Sequence, residues 1–99
     1  MSDLTVANTI LDQMGGTGKL VAMIGARLFT GSDNAVSFMF PRAPRQAINR
    51  VRIELLPDDS GYKVTFYKGK RADVVMTFET IPENLRETFE YHTGLRISL

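Results

Sequence analysis

The chain of 99 residues contains no cysteine and only one histidine, His92. Without cysteine it can form no disulfide, offer no thiolate nucleophile and build no zinc site of the Cys/His type. These absences exclude disulfide-stapled scaffolds, cysteine-dependent enzymes and zinc-finger-like domains.

Long apolar runs are also missing. Nowhere do about 18 apolar residues follow one another, as a membrane-spanning helix requires, and Asp3 lies where a secretory signal would carry basic residues before an apolar run. We therefore expect no membrane contact and a cytoplasmic location. With 43% hydrophobic residues, the chain suffices for one core and is too short for two. We expect a single domain, residues 1–99.

The middle of the chain, from Asn49 to Glu79, holds three stretches in which apolar and polar residues alternate. A period of two is typical of strands in an antiparallel sheet with one buried face. Turn-forming residues separate the stretches, at Pro57 to Gly61 and at Lys68 to Arg71. The pattern predicts a meander whose apolar face contains Val51, Ile53, Leu55, Val64, Phe66, Met76 and Phe78.

Further strands are predicted before this meander. The run from Leu20 to Ala26 is almost wholly apolar and ends in Gly25-Ala26, which favours a strand covered on both faces or a tight bend at its end. Val36, Phe38 and Phe40 alternate with Ser37 and Met39 after turn-forming residues 31–34, which predicts another strand. Residues 41–45 contain two prolines, which cannot donate to a sheet, so we expect an exposed loop there.

A short amphipathic helix is predicted at the start, because Val6, Ile10 and Met14 recur every four residues. Asp3 is suited to cap its first turn, and the pair Gly15-Gly16 to end it.

A second helix is predicted near the end of the chain. Thr80 and Glu83 have the spacing of a capping box, and Gly94 is placed to end the helix, with Leu95 folding back in a Schellman-type contact. The predicted fold is therefore α+β: an N-terminal helix, an antiparallel sheet of about five strands and a C-terminal helix. Both helices would cover one face of the sheet, as in a two-layer sandwich.

The residues best suited to acid–base or metal chemistry are His92 and the adjacent Asp58 and Asp59. His92 falls in the last turn of a helix, where packing and the helix dipole explain it. The aspartates fall in a turn without the further oxygen ligands that calcium needs. Gly15 to Lys19 departs from a phosphate-binding loop, since Gln13 occupies the first glycine position. The sequence predicts no enzyme, no metal site and no cofactor.

The charges are unevenly distributed. Residues 41–71 hold eight basic and three acidic residues, a net charge of +5, while the rest of the chain carries −4. Strand alternation places several of these cations on the polar face of the meander, and the loops extend the set. The predicted partner-binding residues are Arg42, Arg45, Arg50, Arg52, Lys63, Tyr67, Lys68, Lys70 and Arg71.

Several stretches resemble a small family of uncharacterised proteins encoded by tailed phages and other bacterial mobile elements. The matching motifs are helix ends, turns and core positions; they lie at residues 10–16, 23–26, 34–38, 49–53, 59–66, 93–95 and 98–99. Ile24 stands where the family has Thr, and residues 41–45 lie outside its pattern. The resemblance implies this fold and a bacterial host, and it implies no activity.

A cationic sheet face suits two kinds of partner. We expect a protein partner, so that the protein modulates or inhibits a host or phage machine by binding. The alternative is an accessory protein for single-stranded nucleic acid, held by phosphate neutralisation and stacking on Tyr67. In a third interpretation these are ordinary solvated charges.

Overall fold

The computed structural model describes residues 5–58 and 60–97. Within these ranges it contains helices α1 (Thr5–Gln13), α2 (Thr17–Ile24) and α3 (Leu85–Thr93), with a 3-10 turn at Pro82–Asn84. Its strands are β1 (Arg27–Gly31), β2 (Ala35–Met39), β3 (Ile48–Leu55), β4 (Tyr62–Lys68) and β5 (Asp73–Thr80). None of these helices has the length and apolar character needed to cross a membrane.

The five strands form one sheet in the order β1-β2-β3-β4-β5, and every neighbouring pair is antiparallel. Val51 at the centre lies opposite Phe38 on one side and Phe66 on the other, so apolar residues face each other across the strands. The predicted meander and the α+β class are thereby confirmed. Alternation was sufficient here because each strand buries only one of its two faces.

Phe89 of α3 stands at the centre of the buried layer and is only 1% exposed. Its ring centroid lies between 5.6 and 6.3 Å from the rings of three phenylalanines of the sheet side, Phe40, Phe66 and Phe38. Tilted and edge-on aromatic pairs at such distances add to the stabilisation that burial provides. α3 is therefore docked on the apolar face, as predicted.

α1 packs on the same face. Its residues Ala7, Ile10 and Leu11 are buried, and the Tyr62 hydroxyl of β4 donates a hydrogen bond to the Oε1 atom of Gln13. Burial raises the pKa of the Tyr62 phenol from its ordinary value. Both terminal helices thus cover one face of the sheet.

The strand predicted from Leu20 to Ala26 is wrong, because these residues belong largely to α2. Within α2 only Leu20 and Ile24, four residues apart, are buried, whereas Val21 is 49% exposed. Because exposed residues of α2 are also apolar, the sequence does not show the alternation of apolar and polar positions that indicates an amphipathic helix. Gly25 ends the helix in the left-handed conformation at φ 70°, and its amide donates to the carbonyls of the last turn.

The capping box predicted at Thr80 and Glu83 is also not formed. Thr80 remains the last residue of β5, opposite Tyr62 in the sheet. The 3-10 turn intervenes before α3, and no side chain caps it. A residue held in a strand cannot also serve as the helix cap. The predicted role of Asp3 as a cap lies outside the described residues.

Gly94 ends α3 as predicted, at φ 76°. Its amide donates to the Glu90 carbonyl at 2.9 Å, which is the single bond of the αL motif and not the pair of bonds of a Schellman motif. Leu95 donates its amide to the Thr93 hydroxyl at 3.1 Å. The predicted Schellman contact is therefore replaced by a side-chain bond, although Leu95 still packs against the core.

Truncating Phe89 to Ala should lower the free energy of unfolding by about 3 to 5 kcal/mol, because the cavity would open between three rings. Arg86→Ala is the control on the same helix, since Arg86 is exposed. Urea denaturation measures both. A loss below roughly 1 kcal/mol for the Phe89 variant would contradict the docking of α3.

Replacing Gly94 by Ala should cost about 1 to 2 kcal/mol, because a Cβ is unfavourable in the left-handed region. The added atom would also lie 3.1 Å from the side chains of Pro44 and Arg45. Gly18→Ala is the control: Gly18 lies in α2 with open space around it, so alanine there should stabilise by a few tenths of a kcal/mol or more. Thermal unfolding that ranks the two variants the other way would rule out the αL cap.

Candidate functional site

The sheet face opposite the helices carries most of the predicted partner-binding residues of the strands. We call it the outer face and define it by the strand residues whose side chains alternate away from the core. They are Arg27, Thr30, Ser37, Met39, Arg50, Arg52, Glu54, Lys63, Thr65, Tyr67, Val74, Thr77 and Glu79. The strand registers arrange them in three rows that run across the sheet.

The first row combines cationic, aromatic and apolar groups. Arg50 lies opposite Met39 on one side and Tyr67 on the other, and Tyr67 in turn lies opposite Val74. The Nη2 atom of Arg50 donates to the Met39 sulfur at 3.2 Å, so the guanidinium lies along the sheet. Val74 is 61% exposed. This row presents apolar surface next to a positive charge.

A groove continues the first row towards β1. It has a volume of about 440 Å³, and its lining includes Leu28, Thr30, Met39 and Arg50. Leu28 is 66% exposed and has φ 55°, an uncommon value for a leucine, at the register irregularity between β1 and β2. At this irregularity an apolar side chain is exposed in the groove that Arg50 also lines.

The second row carries hydroxyl groups around one cation. Arg52 lies opposite Ser37 on β2 and Thr65 on β4, and Thr65 lies opposite Thr77. Its neighbours across the strands are therefore neutral. The positive charge of Arg52 is not offset by a carboxylate in its own row.

The third row alternates in sign. Lys63 lies between Glu54 on β3 and Glu79 on β5, directly opposite both. Glu54 also accepts a hydrogen bond from the Asn34 side chain at 3.4 Å. Because Lys63 is flanked by two carboxylates, the cationic part of the outer face is confined to the rows of Arg50 and Arg52.

Arg42 and Lys68 meet at one end of the sheet. They line a groove of about 280 Å³ together with Asn49 and Asp73. The side-chain Nδ2 atom of Asn49 donates to the Gly69 carbonyl at 3.4 Å. The buried Oδ1 atom of the same side chain has no partner among the described residues. The exposed residues Lys70 and Arg71 follow in the adjoining turn.

Arg45 does not join these residues. Its Nη1 atom donates to the Tyr91 carbonyl at 2.8 Å, and the guanidinium carbon lies 5.5 Å from the centre of the Tyr91 ring. Its amide donates to the Thr93 carbonyl. Arg45 therefore joins the loop before β3 to the end of α3, on the covered side of the sheet.

The residues considered for acid–base or metal chemistry have structural surroundings. His92 packs its ring on Phe78 at 4.8 Å and on Phe66 at 6.0 Å. Asp58 accepts hydrogen bonds from the hydroxyl and amide of Ser60, and these bonds lower the pKa of its carboxyl. Asp59 lies outside the described residues. Among the residues that are described, no cluster of His, Asp or Glu is suited to hold a metal.

Sequence reasoning missed the apolar part of the outer face. Leu28 was not a candidate, because an isolated exposed apolar residue carries no signal by itself. Alternation with Met76 and Phe78 predicts Val74 on the apolar face, which is wrong, because the register of β5 with β4 shifts between Met76 and Val74 and places Val74 on the outer face. The strand register brings Val74 and Met39 into the row of Arg50 and Tyr67. Alternation predicts the face on which a side chain lies, but not its neighbour across the strands.

The chain matches no known protein family, and it shows no detectable similarity to a curated protein or to a solved structure. The resemblance to phage and mobile-element proteins therefore stays a prediction.

Replacing Lys63 by Glu should lower the free energy of unfolding by roughly 0.5 to 1 kcal/mol, because three carboxylates would then lie side by side across β3, β4 and β5. Lys63→Gln is the control that removes the charge without reversing it. Urea denaturation at low and high salt measures the difference, which salt should reduce by screening. Equal stability of the two variants at low salt would show that the third row is not coupled.

Proposed function

We propose that the protein is not an enzyme and acts by binding a protein partner through the outer face. The observation that supports this most directly is the composition of the first row, where Arg50 lies among Met39, Tyr67 and Val74. Arginine, methionine and tyrosine are enriched at protein interfaces relative to other surfaces. An ordinary solvated face would have less reason to expose Leu28 and Val74 beside them.

The partner surface that suits this face is acidic at its centre and apolar at its border. Arg52 offers donors that no carboxylate of its own row neutralises. The groove next to Arg50, of mixed polar and apolar lining, offers Leu28 and Met39 as contacts for an aliphatic or aromatic side chain. Charge complementarity would orient such a partner and speed its association.

Single-stranded nucleic acid is the second candidate, and Tyr67 is the residue that favours it. Sheets that bind RNA or single-stranded DNA stack successive bases on several aromatic residues. Tyr67 is the one aromatic side chain of the outer face as defined above, and Glu54 and Glu79 lie on the same face. Both features weaken a binding mode that depends on phosphate neutralisation and stacking, so we place a protein partner first.

The resemblance noted in the sequence adds a biological setting to this proposal. A small binding protein of a phage or mobile element would act in the bacterial cytoplasm, as a modulator or inhibitor of a host or phage machine. Occupation of a surface on that machine would suffice for such a role, without any cofactor.

The double variant Arg50→Gln/Arg52→Gln should lose partner binding, with an affinity at least tenfold lower than that of the parent, because two desolvated charge contacts disappear. Arg86→Gln/Arg96→Gln removes the same charge from exposed positions outside the outer face and is the matched control. Affinity capture from a nuclease-treated bacterial lysate identifies the partner. Titration of the purified partner then measures the loss. Equal binding by the face variant and the parent would refute the proposal.

Labelled oligothymidine distinguishes the two candidates. If nucleic acid is the partner, binding should fall with salt at a log–log slope of about 0.7 per phosphate contacted, and Tyr67→Ala should weaken it through lost stacking. A protein partner should survive nuclease treatment and show a shallower salt dependence. Oligothymidine binding that responds to neither salt nor Tyr67 would exclude the nucleic-acid alternative.

A further inference from the structure

The two edges of the sheet differ in how well they are protected against pairing with another strand. β1 has five residues, a register irregularity and a positive φ at Leu28, all of which disturb a regular edge. β5 has eight residues; its register with β4 shifts at Val75, which has no partner on β4, but the pairing runs without interruption from Met76 to Thr80. Its central residues 74–78 contain no charge, proline or glycine. β5 is therefore the edge that is open to a further strand.

The pattern of main-chain hydrogen bonds between β3 and β4 shows which residues of β5 bond to β4 and which do not. The Leu56 amide donates to the Gly61 carbonyl at 2.9 Å, and in an antiparallel pair such hydrogen-bonded positions alternate with non-bonded ones. Every second residue of β4 therefore bonds to β3, and the residues between them bond to β5. Their partners on β5 are Met76, Phe78 and Thr80. The amides and carbonyls of Thr77 and Glu79 consequently point away from β4, and none of the described residues is paired with them.

The core is also incomplete along this edge. Val64 and Phe66 of β4 are at most 1% exposed, whereas Met76 and Phe78, which lie opposite them on the same face, are only partly buried. His92 of α3 already packs on Phe78. The incomplete burial of Met76 and Phe78 therefore results from the position of β5 at the edge of the sheet, and not from the packing of α3. A strand added beside β5 would cover these side chains and bond to the free main-chain groups.

We propose that β5 pairs with β5 of a second copy of this chain, antiparallel and about a two-fold axis at Phe78. In this register Thr77 of each copy faces Glu79 of the other, and each such pair exchanges two main-chain hydrogen bonds. Phe78 faces its own counterpart on the core side, and Met76 faces Thr80. No carboxylate faces a carboxylate, and the pairing uses only the uninterrupted part of the strand.

A second copy fits this edge because the segment is complementary to itself. A two-fold axis at Thr77 would bring Val75, where the register with β4 shifts, opposite Glu79. An axis at Met76 would place Asp73 opposite Glu79, and like charges in directly opposite positions destabilise a strand pair. The axis at Phe78 avoids both. It also keeps the two cores on one side, so that the two outer faces join into one continuous surface. This assembly goes beyond the proposed function and does not depend on it.

Replacing Thr77 by Pro tests the pairing directly. Proline removes an amide that the single copy does not use, and an edge strand tolerates it where the amide faces solvent. We expect the parent to be dimeric in sedimentation equilibrium over a dilution series, and the variant to dissociate with a dimer Kd raised tenfold or more. Thr77→Ala keeps the amide and is the matched control, which should remain dimeric. A monomeric parent, or a proline variant that is folded by circular dichroism and as dimeric as the parent, would overturn the proposal.

Disulfide trapping provides a test that does not require the proline variant to fold. The chain has no cysteine, so introduced thiols have no competitors. A mixture of Thr77→Cys and Glu79→Cys chains should cross-link under mild oxidation, because these positions face each other across the axis. Either variant alone should cross-link far less, since its two thiols would be displaced along the strands. Arg86→Cys on α3 controls for collisions. Cross-linking of the mixture no faster than that of the control would overturn the proposal.

Discussion

Burial of Phe89 against the phenylalanines of the sheet is the interaction on which the rest of this structure depends. A chain of this length has only enough apolar residues for one buried layer. The sheet supplies one side of this layer and the helices supply the other. Phe38 and Phe66 are fully buried and their rings pack on Phe89 of α3, whose C-terminal end is bound by Arg45. Commitment of the helices to one face leaves the other face to solvent or to a partner. The candidate site is thus a consequence of how the core is built.

The sequence was informative wherever one face of an element is buried and the other is not. The alternation around Val51 and Val64 therefore predicted strands, face assignment and fold class. It failed for α2, where exposed Val21 obscured the four-residue spacing of Leu20 and Ile24. A short helix with apolar residues on its solvent side has the same local signal as a buried strand. Length could not decide between them, since eight residues suit either element.

The candidate site was predictable in part for the same reason. Alternation placed Arg50, Arg52 and Lys63 on one face, and they lie there. Their electrostatic surroundings depend on register, which brings Glu54 and Glu79 next to Lys63 and leaves Arg52 among hydroxyl groups. Loop residues were less predictable still, because no period constrains them. Arg45 accordingly lies against Tyr91, while Arg42 lies with Lys68.

The outer face and the β5 edge are linked by geometry, although each is inferred from separate observations. Val74 and Thr77 belong to both, since an edge strand presents its side chains to the faces and its main chain to the side. Pairing at β5 would leave the outer-face side chains uncovered and place a second Arg50 row across the two-fold axis. A partner that spans the axis would then meet two equivalent rows, and simultaneous contact raises its effective affinity without any new type of contact. A partner confined to one copy would gain nothing, so the dilution dependence of partner binding would reveal which of the two geometries the protein uses.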